Sequence, residues 1–343
     1  MKIQIKIADL QGVKMSRNNH TQYNIRVQGR VCVVGWHECA VIVPFKEFNA
    51  LPEDSDKTFE GSFFNQDILY SEEFVTVQLT DTGKRYDDLD FRVTRPEPID
   101  YVPLTGMNDL LKNLNVCASQ DESRLHLNGV NFAVNKGVPT IAATDGYRLG
   151  VITMDNIKSL DYSVIVHRSA IKAALKTVRK KGDLGTLELS KQTSYFSGIP
   201  IRIFYNNIDL EYPPFNKVIP NDFEFSISLN RKQVLVFAKK AKKAKKFDSY
   251  VHFICTYADV GCTVMAGDNS NEKFEAIIDG THNYTENSDN PFTIAFNSQY
   301  VIDAMNAFDV DFVTMHLTSS LCAAMINTTD NPDFKYVIMP ARM

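Results

Sequence analysis

None of the six cysteines in this 343-residue chain belongs to a CxxC pair or a cysteine-dense segment, which excludes the spacing of common zinc and redox motifs. Cys32, Cys39, Cys117, Cys255, Cys262 and Cys322 read as reduced thiols. The CX6C spacings, 32/39 and 255/262, suit small apolar residues in paired strands better than zinc ligands. No apolar run approaches the roughly 20 residues that span a bilayer. The opening MKIQIKIADL alternates like a strand and lacks the apolar core of a signal peptide, so a soluble, cytoplasmic protein with no membrane partner is expected. Low-complexity tracts are absent and 44% of residues are hydrophobic, so the whole chain is expected to fold.

Signatures of catalysis are missing too. DTGKRY lacks the first glycine of a P-loop and the Ser/Thr after its lysine. The histidines form no HExxH, and no serine sits in a nucleophile elbow. Two DxD pairs, Asp88 with Asp90 and Asp309 with Asp311, leave a metal-dependent nuclease as a remote alternative, although such pairs fit turns better. No catalytic residue, metal or cofactor is assigned.

What the chain does have is positive charge in concentrated form. It carries 37 Lys+Arg against 41 Asp+Glu, yet residues 237 to 248 read FAKKAKKAKKFD. Asn230 as N-cap with Gln233 three residues on predicts a helix through this block. At about 100° per residue, Val234, Phe237, Ala241 and Ala244 share a narrow stripe, while Lys239, Lys240, Lys242, Lys243, Lys245 and Lys246 fan across the opposite arc. A solvated helix face is one reading. Like charges three and four residues apart destabilise a helix by about 0.2–0.5 kcal/mol per pair, and no acidic residue stands among positions 239–246 to relieve them, so a polyanion is the other. A second helix, RSAIKAALKTVRKKGD (168 to 183), puts Ile171, Ala174, Leu175 and Val178 opposite Lys172, Lys176, Arg179 and Lys180, with Gly182 as C-cap. Neither helix interleaves aromatics with its cations, so contact with nucleic acid would be to phosphates, without sequence readout.

A repeat organises the chain. YSVIVHRSAIKAALKTV (162 to 178) and FTIAFNSQYVIDAMNAF (292 to 308) both read as an alternating strand, a polar break and an amphipathic helix, and ECAVIVPFKEFNAL (38 to 51) is a weaker third copy. GMNDLLKNLNVCAS supplies an upstream helix in the middle unit, as the lysine helix does in the last; IADLQGVKMS is too short to be a convincing equivalent in the first. Three sheet-rich α+β domains follow, each with helices on one face of antiparallel strands, over residues 1–100, 101–220 and 221–343.

LNGVNFAV and TIAATDGYRLGV, then YSVIVHRSAI, YPPFNKVIP and the terminal YVIMPARM resemble, in order, the bacterial DNA polymerase III beta subunit, the replicative sliding clamp. The resemblance covers residues 101–343; the first 100 carry only the architectural echo. It implies a homodimeric ring of two three-domain protomers, with sheets outside and basic helices lining a channel around double-stranded DNA. It also implies a pocket between the middle and last domains for peptides of polymerases, the clamp loader and other partners. The matching positions are Arg124, Thr144, Gly146, Tyr147, Arg148 and Leu149, then Pro213, Lys217 and Val218. From the last domain come Asn297, Tyr300, Ala323, Val337, Ile338, Met339, Pro340, Ala341 and Arg342. Leu149, Val218, Val337 and Met339 would form an apolar groove for Leu or Phe anchors, with cations on its rim.

Departures from the family pattern stand at Tyr147, commonly histidine, and at the small Ala323 and Ala341. Lys242 and Lys243 fall where the resemblance places aliphatic residues that meet the next protomer, so the interface would be more electrostatic, with the acidic YDDLD (86 to 90) as a partner. Such divergence points to a phage or plasmid version. The rival reading is a monomeric clamp-like adaptor or decoy that binds the same peptides and encircles nothing.

Overall fold

The computed structural model describes residues 2–6, 22–28, 31–36, 39–43, 45–47, 57–64, 74–78, 80–85, 97–154, 158–177, 185–197, 202–243, 250–256, 262–266, 274–284 and 291–341. Antiparallel strands dominate. The α-helices of these residues are α1 (Asn108–Cys117), α2 (Arg168–Thr177), α3 (Arg231–Lys243) and α4 (Ser298–Asn306). The architecture is the α+β class expected from the repeat.

Both strand-to-helix copies form, although each strand buries three consecutive residues, Val164, Ile165 and Val166 in one and Ile294, Ala295 and Phe296 in the other, instead of every second one. Tyr162–His167 runs directly into α2 and Phe292–Asn297 into α4. The switch is abrupt because the last strand residue caps the helix: Asn297 Oδ1 accepts the Gln299 N–H at 2.9 Å. The third copy departs from expectation. Phe45–Glu47 is a strand, antiparallel to Lys2–Lys6, with Ile3 opposite Glu47 and Ile5 opposite Phe45. Lys2–Lys6 thereby gains a ladder on each side, its other neighbour being Phe74–Gln78, and a short helical start offers no comparable set of bonds. IADLQGVKMS lies outside the described residues.

The chain forms two compact units, each built from separate stretches: residues 1–112 with 164–210, and 113–163 with 211–343. In the first unit, one sheet joins strands distant in sequence: Cys39–Val43 pairs antiparallel with Arg202–Asn206, placing Val41 opposite Ile203. On α2, Ala170, Ile171, Ala173 and Ala174 are buried and Lys172 and Lys176 are exposed. Val178, Arg179, Lys180 and Gly182 lie outside the described residues.

In the second unit one antiparallel sheet runs through Gly129–Asn135, Val138–Thr144, Arg148–Thr153, Phe334–Ile338, Ala324–Asn327, Phe312–Leu317, Phe225–Asn230 and Gly280–His282. Its central seam, Arg148–Thr153 against Phe334–Ile338, pairs Leu149 with Val337. A second sheet of Phe274–Ile278, Cys262–Ala266, Tyr250–Cys255 and Phe292–Asn297 carries α3 and α4, which also pack on each other. Val234, Phe237, Ala238 and Ala241 of α3 are buried, the expected stripe with Ala238 added; Ala244 lies outside the described residues. Cys255 and Cys262 are buried thiols on adjacent strands, 3.6 Å apart at sulfur.

Candidate functional site

The site begins with the turn Thr144-Asp145-Gly146-Tyr147-Arg148. Gly146 adopts φ +90°, a conformation open to glycine. Thr144 Oγ1 accepts the Gly146 N–H at 3.0 Å and donates to the Arg148 carbonyl at 2.6 Å. Asp145 Oδ1 accepts the N–H groups of Tyr147 and Arg148 at 2.9 and 3.0 Å. With these side chains satisfying the turn, its shape is fixed locally. Its far side is tied by the Met339 N–H, which donates to the Tyr147 carbonyl at 2.8 Å. The Tyr147 side chain, 54% exposed, is left at the surface.

Beside this turn, Pro213 and Pro214 lead into a short 3-10 turn, Phe215–Val218, and Tyr212 meets Phe215 edge-on at 6.1 Å. The two segments and the strand end at Met339 enclose a groove of about 310 Å³. Leu149 and Val337 form its floor, each 2% exposed, within a cluster completed by Ala142, Val151 and Met325. Val218 and Met339, largely exposed, form its walls.

Nine expected pocket residues line this groove: Thr144, Gly146, Tyr147, Arg148, Leu149, Pro213, Val218, Val337 and Met339. The other described ones stand around it in different roles. Arg124 is exposed at the rim, donating from Nη1 to the Asp145 carbonyl at 3.3 Å. Lys217 is exposed on the 3-10 turn, and Ala323 packs against the floor cluster beside Phe215. Tyr300 lies 6.4 Å from the Tyr147 ring in a stacked arrangement. Asn297 is engaged in capping α4, Ile338 is buried one residue out of phase with Val337, and Pro340 is half-buried. The Ala341 N–H donates to the Ala295 carbonyl at 2.8 Å. Arg342 lies outside the described residues. Sequence reading missed His126, Leu127, Pro214 and Phe215, which complete the lining. The di-proline followed by an aromatic in YPPFNKVIP was the available signal for the last two.

Arg148 is buried rather than a rim cation. Its side chain is 8% exposed, donating from Nε to Asp145 Oδ2 at 2.9 Å, from Nη1 to Asp303 Oδ2 and from Nη2 to the Val116 carbonyl at 2.8 Å. The guanidinium also lies 4.6 Å from the Tyr300 ring centroid. Burial by itself would lower its pKa, but the Asp303 and Asp145 carboxylates oppose this, so the guanidinium stays charged. Burial pushes the nearby Cys117 thiol up to about 12, against the pull of Arg148, so this cysteine stays protonated.

The basic arc is formed by α3. Lys239, Lys240, Lys242 and Lys243 are all exposed, opposite its buried stripe. Asn230 caps the helix by accepting the Gln233 N–H at 3.2 Å, but the Gln233 side chain turns away to Asp279, accepting its N–H at 2.8 Å. The reciprocal half of the capping box is therefore replaced, and the Asn230 N–H donates to the Asp279 carbonyl. Lys245 and Lys246 lie outside the described residues, as do Asp88 and Asp90. Asp311 pairs with Lys232 at 2.8 Å, which holds its carboxyl below the usual range, and Asp309 lies 3.9 Å from Arg231. No helix among the described residues is long and apolar enough to cross a membrane.

Comparison with known proteins gives consistent matches. Family models match residues 102–214 as DNA polymerase III beta subunit, central domain, and residues 216–342 as DNA polymerase III beta subunit, C-terminal domain. The beta sliding clamp of Rickettsia felis is 24% identical over 259 residues, 72% of this chain and 68% of that protein. The beta sliding clamp of Escherichia coli K12 is 26% identical over 255 residues, 71% and 65% respectively, so the alignments span about two thirds of these relatives. In fold, the chain is similar to the DNA polymerase III subunit beta of Pseudomonas aeruginosa, with a TM-score of 0.73 at 18% identity covering 100% of both chains. The DNA polymerase sliding clamp of Bacillus subtilis matches with a TM-score of 0.73 at 17% identity, covering 100% of this chain and 99% of the other.

Proposed function

This chain belongs to the DNA polymerase III beta-subunit family, and we propose that it is a sliding clamp, a non-catalytic processivity factor of cytoplasmic DNA replication. Each protomer has three tandem clamp domains, residues 1–100, 101–220 and 221–343, and two protomers close a ring around duplex DNA. Short peptides of the polymerase, the clamp loader and other partners seat in the Leu149–Val337 groove. The observation that carries this reading is the exposed lysine arc of α3, set against a buried alanine-rich stripe on the same helix. Lys172 and Lys176 of α2 repeat the pattern. Such arcs contact phosphates without reading bases, and screened, non-specific contacts allow sliding while topology provides retention. A polymerase held by its peptide stays at high effective concentration at the primer end.

Lys242 and Lys243, standing where relatives are expected to carry aliphatic interface residues, favour a second reading: a monomeric adaptor that binds the peptides alone. Light-scattering mass across protein and salt concentration, followed by retention on circular against linearised DNA, separates the two. The clamp reading expects a dimer at low micromolar concentration and loss from linear DNA only. A monomer under every condition overturns the self-closing ring.

A further inference from the structure

Asp303 of α4 stands outside the groove lining, yet both its carboxylate oxygens are engaged. Oδ2 accepts from Arg148 Nη1, and Oδ1 accepts from Gln299 Nε2 at 2.7 Å. Arg148 continues the chain to Asp145, whose other oxygen fixes the backbone of Tyr147 and Arg148. In the opposite direction, Gln299 Oε1 accepts from Lys242 Nζ on α3. One line of hydrogen bonds therefore connects the basic helix, through Gln299, Asp303, Arg148 and Asp145, to the turn that bears Tyr147.

The middle of this line is sheltered. The Asp303 and Arg148 side chains are 15% and 8% exposed, so water is a poor substitute for either partner. Arg148 has its three directions committed to the Asp145 turn, to α4 and to the Val116 carbonyl at the end of α1. If Asp303 let go, the guanidinium would still touch Asp145 but would lose the contact with α4 that fixes it, and the turn it bears would loosen.

We propose that Asp303 is a positioning residue for the peptide groove, holding the Thr144–Arg148 turn through Arg148, and that Gln299 links this hold to Lys242 of the basic helix. The inference rests on the peptide-groove reading above. A phosphate that draws the Lys242 ammonium away from Gln299 Oε1 frees the Gln299 amide and alters the hold on Asp303. DNA on the helix and peptide in the groove then change each other's affinity by the same factor.

The test uses the full chain and a fluorescein-labelled peptide with adjacent Leu and Phe anchors. Asp303→Asn retains shape but offers one carbonyl oxygen where two acceptors are needed. Peptide affinity should fall about ten-fold, the scale of one charged hydrogen bond. Hydrogen exchange over residues 144–149 of the free chain should quicken while exchange over 312–317 stays unchanged. Should that variant fail to fold, Gln299→Ala carries the same test at about three-fold, and it should also remove any effect of a duplex oligonucleotide on peptide affinity. Unchanged affinity together with unchanged exchange over 144–149 overturns the inference, and so does quickened exchange spread through 312–317, which marks a general structural role. Failure of the unmodified chain to bind the peptide would instead overturn the groove reading, and exchange over 144–149 would still decide whether Asp303 holds the turn.

Discussion

Leu149 and Val337 are register partners across the central seam of their sheet, and both are 2% exposed at the floor of the groove. They belong to the core and to the groove floor at once. Leu149→Ala should therefore cost about 2–5 kcal/mol of stability, through lost transfer energy and a residual cavity, and should weaken peptide binding as well. Urea unfolding and fluorescence anisotropy on the same variant check both effects.

Val218 separates the two contributions. At 52% exposure it contributes little to the fold, so Val218→Glu should shift stability by no more than about 0.5 kcal/mol. A carboxylate in the wall of an apolar groove should nonetheless weaken a Leu- or Phe-anchored peptide ten-fold or more. A peptide that binds the variant normally would place its anchors elsewhere.

For the basic helix, replacing Lys239, Lys240 and Lys243 together by Gln should leave peptide affinity near its original value. Binding to a duplex oligonucleotide should weaken, and the slope of log affinity against log salt should shrink by about 0.9 for each lysine that had neutralised a phosphate. An unchanged slope would remove these lysines from the DNA contact.

His167 gives a pH dependence. Its ring stacks on Tyr205 at 5.2 Å and its Nδ1 accepts the Ser169 N–H at 3.1 Å, a bond that imidazolium could not accept. Burial, assisted by Arg168, holds its pKa down to about 4, below the roughly 6.5 of the unfolded chain. The neutral form is thus favoured on folding. Its contribution is full above about pH 6.5 and is lost as the pH falls from about 6.5 towards 4, because the unfolded chain takes up a proton that the folded chain refuses. The urea midpoint should drop between pH 7 and pH 5, and His167→Phe, which retains a ring but cannot be protonated, should show a smaller drop.

Local features of the fold were legible where local rules decide them. The apolar β-formers of YSVIVH and FTIAFN, a polar break and then helical periodicity located two strand-helix junctions, although both strands bury a continuous run and not an alternating face. The pairing of Cys39–Val43 with Arg202–Asn206 had no such signal, since a strand's pattern names its buried face and not its neighbour. FKE at 45–47 shows the same limit: its partner, 40 residues earlier, decides its conformation. In the site, the apolar floor and walls were legible through the family resemblance of TDGYRL, YPPFNKVIP and YVIMPARM, since the hydrophobic pattern of YVIMP by itself fits a strand in a core. Arg148 was not, because its burial depends on Asp303, 155 residues away, as much as on the adjacent Asp145.

The seam beneath the groove has a mechanical consequence. Five register pairs, from Arg148 opposite Ile338 to Ile152 opposite Phe334, join the two strands that bear Leu149 and Val337. A partner anchored on both residues and dragged by a moving enzyme would load neighbouring strands of one ladder at the same time. Tension would be distributed over several backbone bonds, so under load the anchor peptide should slip out before the seam tears, and the handle should survive each release ready for the next partner.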